Sequence, residues 1–221
     1  FVLNGTKLFV PDANVADYII TAVTLPGGGM GAAVVARSAV EVTVLKTIAS
    51  DKQAEVVFKD VAVAAGDMMT ITAEAGRTIR NQATSLECAY LVGLAQKDFE
   101  ISVNYAKERV QFGRPIGSFQ AIQHKAADMV TDVDGMRFIM YKAAWATSEN
   151  EASADMDVAM AKAWCSDASR RVVAHGQQIH GGIGFTKDYV IQLFFRRQKR
   201  AELFWGDADF HRERVAQMLD I

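Results

Sequence analysis

From about Met68 to the C-terminus, apolar residues recur at steps of three and four, interrupted only by short polar or glycine-containing breaks. That spacing lays one apolar stripe along a helix, so it predicts a series of long helices that bury their stripes against one another. The first predicted helix runs from Thr70 to Arg109 through Ile79, Ala83, Leu86, Tyr90, Leu94, Ile101 and Tyr105, and its many Ala and Gly residues permit close packing. A second starts near Ser118, which is placed to cap it, and reaches Thr147 through Ile122, Ala126, Met129, Val133 and Met140. A third runs from Asp155 to His180, with Val158, Ala161, Cys165, Ala168 and Val172 on one face. Tyr189–Phe204 forms the fourth and Ala208–Leu219 a short last helix. The expectation is an up-down four-helix bundle over residues 68–221.

Before Met68 the pattern is that of β structure. Phe1–Val10 carries a hairpin-like Asn4-Gly5 between short apolar runs. Tyr18–Thr24, Ala32–Ala36, Val40–Leu45 and Ala54–Phe58 are β-rich and bounded by turn or charged residues. Gly27, Gly28 and Gly29 lack the flanking residues of a phosphate-binding loop and read as a hairpin turn. Residues 1–67 are therefore expected to form a small partial β-barrel or sandwich, making the chain α+β and mainly α.

Half of the 221 residues are hydrophobic and the formal net charge is −2, which offers no basic excess for nucleic acid. The cluster Arg196, Arg197, Lys199 and Arg200 is short and reads as a solvated helix face. No apolar run is long enough for a membrane-spanning helix. Cys88 and Cys165 lack metal-ligand spacing and read as buried small residues, fitting a reducing, cytoplasmic compartment; no metal is expected. Phe1 is not an initiator residue, so an N-terminal extension is expected to precede it.

The richest stretch for chemistry is Glu108–Met129, between the first two helices. Arg109 arrives on a helix end, and Gly113, Pro115 and Gly117 then stop the helix. A rigid loop presenting Arg109 and Phe112 suits a flat, anionic ligand; a plain helix-helix connection with a surface Arg is the competing reading. Glu108-Arg109-Val110-Gln111-Phe112-Gly113 resembles the Glu-Arg-x-x-Phe-Gly element of the acyl-CoA dehydrogenase family. Gln178-Ile179-His180-Gly181-Gly182-Ile183-Gly184 resembles the same family's Gln-x-x-Gly-Gly-x-Gly element, in the expected order and at about the expected separation. The resemblance covers essentially the whole chain, and it implies that the family's N-terminal helical domain and the start of its central β domain are absent.

The resemblance implies FAD bound at a subunit interface, in a homo- or hetero-tetramer built as a dimer of dimers. Arg109 would pair with the pyrophosphate through its planar donor fork, and Phe112 would pack beside the flavin or adenine. Gln178, Gly181, Gly182 and Gly184 would meet the adenosine-pyrophosphate part of a neighbour's FAD, although Gly181–Gly184 also reads as an ordinary helix stop and turn. Phe9 stands where the family stacks an aromatic on the flavin, but Pro11 replaces the hydroxyl residue that follows. The implied reaction is α,β-desaturation of an acyl-CoA, with electrons passed to an electron-transfer flavoprotein. Here the sequence departs from the family. Counting without gaps, the usual catalytic Glu becomes Trp205 in Phe204-Trp205-Gly206-Asp207, and the alternative position on the first long helix becomes Ala83. Glu87, one turn after Ala83, and Asp207 are the remaining carboxylate candidates; His124 and His180 read as polar contacts near the loop or cofactor. Two further readings stay open: a non-catalytic or half-site subunit of a hetero-oligomer, and altered, hydratase-like chemistry on the same scaffold. A chain without the N-terminal domain is expected to hold FAD poorly in isolation.

Overall fold

A computed structural model describes residues 1–221 and divides them into two compact units, Phe1–Arg77 and Thr78–Ile221.

The first unit contains β1 (Val2–Pro11), β2 (Tyr18–Thr24), β3 (Met30–Ala36), β4 (Glu41–Leu45), β5 (Gln53–Ala62) and β6 (Met68–Ile71). They form two three-stranded antiparallel sheets, ordered β1-β5-β4 and β2-β3-β6. Both sheets contribute to one apolar cluster, with Val56, Phe58 and Val61 from β5 and Ile19, Ala33 and Val35 from β2 and β3. The arrangement is a small sandwich with no closed barrel. Gly27–Gly29 make the β2–β3 turn at positive φ, where glycine carries no Cβ penalty.

Two details correct the expectations. Asn4-Gly5 is no hairpin: β1 runs straight through it, and its register against β5 shifts between Leu3 and Gly5. The Asn4 amide donates to Asp60 Oδ1 at 3.0 Å and accepts from the Asp60 backbone N–H at 2.9 Å, so the dipeptide pins a bulge instead of turning the chain. Met68–Ile71 is also not the start of a helix. It pairs with β3 from Met30 to Ala33, completing the second sheet.

The second unit holds α1 (Ala73–Glu108, whose first turn lies in the preceding unit), α2 (Gln120–Ser148), α3 (Ala154–His180), α4 (Ile191–Leu203) and α5 (Ala208–Met218). A two-residue-per-strand hairpin, β7 (Val110–Gln111) with β8 (Arg114–Pro115), sits between α1 and α2. Cross-helix contacts fix the helix directions. Asn81 meets Asp155, and Tyr105 stacks on His180, so α1 and α3 run the same way. Arg171 grips Asp132 and Lys142 pairs with Asp157, so α2 runs against α3. Arg200 pairs with Glu87, while Val190 and Leu94 line one cavity, so α4 runs against α1. This is the up-down bundle.

Its core comes from two stripes with alternating steps of three and four: Met129, Val133, Met136, Met140 and Ala143 on α2, and Val158, Ala161, Cys165, Ala168 and Val172 on α3. A stripe averaging 3.5 residues stays against a neighbour crossing at roughly 20°. Each large side chain buried there contributes about 1.5–3 kcal/mol. Both cysteines are free and buried in this core. Ser118 does not cap α2. Phe119 occupies the cap position without a side-chain bond, because Ile116–Ser118 form a tight turn in which Ser118 Oγ donates to Pro115 O at 2.7 Å.

Candidate functional site

Within the helical unit, two groups of the singled-out residues lie near each other's elements, and a third group collects elsewhere on the bundle. Tyr105, one turn before Arg109, stacks on His180 with ring centroids 4.4 Å apart, and His180 also meets Tyr189 at 5.1 Å. This ring stack ties the C-terminal end of α1 to that of α3. It brings the Arg109–Phe112 loop and the Gly181–Gly184 turn to the same end of one bundle.

In the first of these loops Arg109 is exposed, and its guanidinium has no ion-pair partner in the chain. Phe112 is 91% exposed and sits at a left-handed φ of 56°, a conformation that costs a non-glycine residue roughly 1 kcal/mol. Its ring touches only the edge of Phe119, at 6.0 Å between centroids, and Arg114 lies over Phe119 at 4.2 Å. An unpaired cation beside an outward-facing ring is an arrangement that the chain's own packing does not require. It fits the donor set that a pyrophosphate and an attached flat ring would use.

The Gly181–Gly184 turn is more mixed. Gly181 ends α3 at φ 59°, donating its N–H to Gln177 and Gln178 carbonyls. Gly182 has open space around it, and Gln178 is exposed beside it. Gly184 is buried, and a Cβ there would press Gln177 at 3.2 Å and His180 at 3.3 Å; its carbonyl accepts Gln177 Nε2 at 2.6 Å. Internal packing therefore accounts for Gly184. Gly182 leaves the backbone open to something outside, and Gly181 is needed for its dihedral angle. His180 is buried, with Nδ1 2.7 Å from the Gly176 carbonyl and its pKa lowered by burial, so it serves the ring stack as a neutral imidazole. His124 is exposed near the start of α2.

The third group surrounds the α4–α5 turn. Trp205 and Gly206 both have positive φ, 61° and 95°. The turn is held from beneath by Lys162, a fully buried cation on the core-facing side of α3. Its Nζ donates to Gly206 O at 2.6 Å, Glu202 O at 2.8 Å and Ser166 Oγ at 3.1 Å, which uses all three ammonium protons. Burial lowers the Lys162 pKa, opposed by nearby acidic groups. His211 Nε2 lies 2.9 Å from Trp205 O and holds the turn from the α5 side. Asp207 is occupied as the cap of α5, accepting the Phe210 N–H at 2.9 Å. Ala83 lies partly buried on α1, one turn before Glu87.

Glu87 reaches the same neighbourhood. Its carboxylate accepts from Arg200 Nη1 at 2.9 Å, and Arg200 lies over the Phe204 ring at 4.9 Å. Burial raises the Glu87 pKa, and the charges of Arg200 and Lys162 pull it down again. Trp205 itself is half-exposed and offers no proton-accepting group. Phe9, in the other compact unit, lies in a second register shift of β1 between Lys7 and Val10; it is exposed, with φ 56°. The bulge aims an aromatic ring outward from a strand. No group of three or more His, Cys, Asp or Glu side chains is placed to hold a metal, and no helix is long and apolar enough to cross a membrane.

Sequence reasoning missed Lys162, His211 and the Tyr105–His180–Tyr189 stack. Lys162 carried a readable signal, since it interrupts the apolar face formed by Val158, Ala161 and Cys165. The stack did not, because its partners are far apart in the chain.

Comparison with known proteins places this geometry. The sequence profile of "Acyl-CoA dehydrogenase, C-terminal domain" matches residues 81–219. The probable acyl-CoA dehydrogenase YngJ of Bacillus subtilis is 32% identical over 99% of this chain and 61% of its own length. Butyryl-CoA dehydrogenase from Megasphaera elsdenii superposes with a TM-score of 0.90 at 27% identity, over 100% of this chain and 60% of that one. A chain of the ChsE4-ChsE5 complex from Mycobacterium tuberculosis gives 0.91 at 29% identity, over 99% and 60%. The chain thus spans about three-fifths of the length of the relatives it matches. It belongs to the acyl-CoA dehydrogenase family.

Proposed function

We propose that this chain contributes the cofactor-facing and interface half of an FAD-dependent acyl-CoA dehydrogenase acting in the cytoplasm, with electrons passed to an electron-transfer flavoprotein. The observation that carries this reading is the placement of two loops at one end of the bundle: exposed, unpaired Arg109 with outward-facing Phe112, and the open Gly181-Gly182 turn with Gln178. Arg109 would hold the pyrophosphate bidentately, Phe112 would cover an adjoining ring, and Gln178 with the Gly182 backbone would bind the adenosine side. Because both loops belong to one end of one chain, we assign them to the same FAD. Gly184 is assigned to packing beneath that turn, and Phe9 to a separate ring contact.

Bound FAD would supply the acceptor for the hydride that leaves the β carbon of the thioester. The chain's own task is to take the α proton. Of the two carboxylates, Asp207 is spent on the α5 cap. Glu87 is left, raised in pKa by burial and near the Phe204–Trp205 turn through Arg200. We assign Glu87 as proton acceptor: loss of its Arg200 contact would free the carboxylate to act. One observation favours a second reading, a half-site subunit whose partner supplies the base. Trp205, which an ungapped count sets at the family's base position, has no proton-accepting group, and Lys162 and His211 clamp the turn that carries it. The ChsE4-ChsE5 neighbour is a complex of two different chains.

Flavin retention tests the cofactor assignment. The intact protein should copurify with FAD, and Arg109→Gln should weaken FAD binding by at least about tenfold, the loss expected for one charge-assisted contact. An Arg109→Gln protein that retains FAD as tightly as its parent would remove Arg109 from the site.

A further inference from the structure

Cys88 lies on α1 and Cys165 on α3, and both are fully buried in the same core. Two contacts between these parallel helices bracket them. Asn81 bonds Asp155 towards the N-terminal ends, and further along the Asp98 carboxylate takes the space that a Cβ on Gly176 would need. Counted forward from the first contact, Cys88 is level with Lys162; counted back from the second, it is level with Ser166. Cys165 stands between these two, and its thiol lies within hydrogen-bonding reach of Cys88.

Burial by itself leaves a thiol inert. This pair has two further features. The Lys162 ammonium, fixed by Gly206 O at 2.6 Å, Glu202 O at 2.8 Å and Ser166 Oγ at 3.1 Å, interacts with both sulfurs. A fixed positive charge beside a sulfur favours the thiolate, which is the nucleophilic form. The contact with Cys88, together with burial, pushes the Cys165 thiol well above its ordinary pKa. Cys165 is thus the protonated donor of the pair and Cys88 the accepting sulfur. An accepting sulfur beside an ammonium, with a second thiol in reach, has what disulfide formation through a sulfenic acid requires.

We propose that Cys88 and Cys165 form a peroxide-sensitive dithiol, which hydrogen peroxide converts to a disulfide joining α1 to α3. The Cys88 thiolate attacks one peroxide oxygen, the O–O bond breaks, and the departing hydroxide takes up the proton that Cys88 released, giving water. The Cys165 sulfur then attacks the sulfenic sulfur of Cys88. The S–S bond forms, the S–O bond breaks, and the second hydroxide leaves with the Cys165 proton as water. Two thiols lose two electrons and the peroxide gains them. The bridge would stand one residue from Glu87 and beside the ammonium that holds the Trp205 turn. The proposal does not depend on the dehydrogenase reading.

The test treats the folded protein with hydrogen peroxide, blocks free thiols, and maps the Cys88 and Cys165 peptides by mass spectrometry. In parallel, Ellman's reagent at the same concentration labels the thiols; it is bulkier and intrinsically faster with thiols, so it reports opening of the core. The two peptides should be recovered cross-linked and separate again with dithiothreitol, and cross-linking should outpace Ellman labelling at least about tenfold. Cys165→Ala should accumulate a Cys88 sulfenic acid that dimedone traps, whereas Cys88→Ala should leave Cys165 unmodified over the same time. Cross-linking no faster than Ellman labelling would make the bridge a product of unfolding and overturn the proposal. Recovery of both peptides as free thiols, or as separate sulfinic acids, would overturn it equally, and the reverse dimedone pattern would overturn the roles assigned to the two sulfurs.

Discussion

Asp98 on α1 is fully buried between α1 and α3, and no cation neutralises it. Its one side-chain partner is Ser102 Oγ at 3.4 Å, and its Oδ2 has no partner at all. Burial outweighs the Ser102 contact and lifts the Asp98 pKa from 3.8 to about 8. The folded protein therefore binds a proton that the unfolded chain releases above about pH 4. Stability must fall as pH rises between those two values, by about 1.4 kcal/mol per unit. At pH 7 the gap to the unfolded pKa is roughly three units, which sets the penalty at no more than about 4 kcal/mol. Asp98→Asn has the shape of the protonated acid and no charge to desolvate. Its amide adds one donor in need of an acceptor, a cost of about 1–3 kcal/mol that does not vary with pH. The slope is thus the readout. Urea-unfolding midpoints of parent and variant, measured from about pH 4 to about pH 10, should show Asp98→Asn gaining steadily on the parent as pH rises, with the gain levelling off above about pH 8. A difference that is constant across this range would refute the claim that Asp98 is buried as the neutral acid.

Three other outcomes follow from the same helices. His211, held neutral by burial with its pKa lowered from 6.5 to about 4, should make stability decline as pH falls through that interval; His211→Gln should flatten the acid limb of a thermal-unfolding series. Lys162→Met keeps the length of the buried side chain but strands the Gly206 and Glu202 carbonyls, and should cost roughly 2–4 kcal/mol by calorimetry. A Cβ on Gly176 would collide with the Asp98 carboxylate, so Gly176→Ala should be strongly destabilising alone and far less so beside Asp98→Ala; a double-mutant cycle should give a coupling of at least about 1 kcal/mol.

The helices were legible because their stripes are long. Met129–Ala143 and Val158–Val172 each hold the three-four alternation for four steps, and no strand can bury such a pattern. What failed to show was short or non-local. Met68–Ile71 is only four residues and becomes a strand because β3 offers it a free edge. Asn4-Gly5 has the composition of a turn, yet Asp60, distant in sequence, makes it a bulge. At the site, the Arg109 and Gly181–Gly184 elements were visible as motifs, but their shared end of the bundle depends on Tyr105 meeting His180. Asp98 stands among charged neighbours in Lys97-Asp98-Phe99-Glu100, and only the register set by Cys88, Leu91 and Ala95 sends it into the core. Glu87 stood in the sequence as a carboxylate candidate one turn after Ala83, and the structure adds the partner, Arg200, that links it to the Phe204–Trp205 turn.

Anaerobic flavin bleaching of the intact protein with a panel of acyl-CoA thioesters tests the proposed role of this chain in acyl-CoA dehydrogenation, with Glu87 as its base. The parent should bleach without any second chain, and Glu87→Gln should slow bleaching by about 10²-fold or more while flavin remains bound. Bleaching that appears only when a second, different chain is added, or that proceeds equally fast in Glu87→Gln, would contradict it.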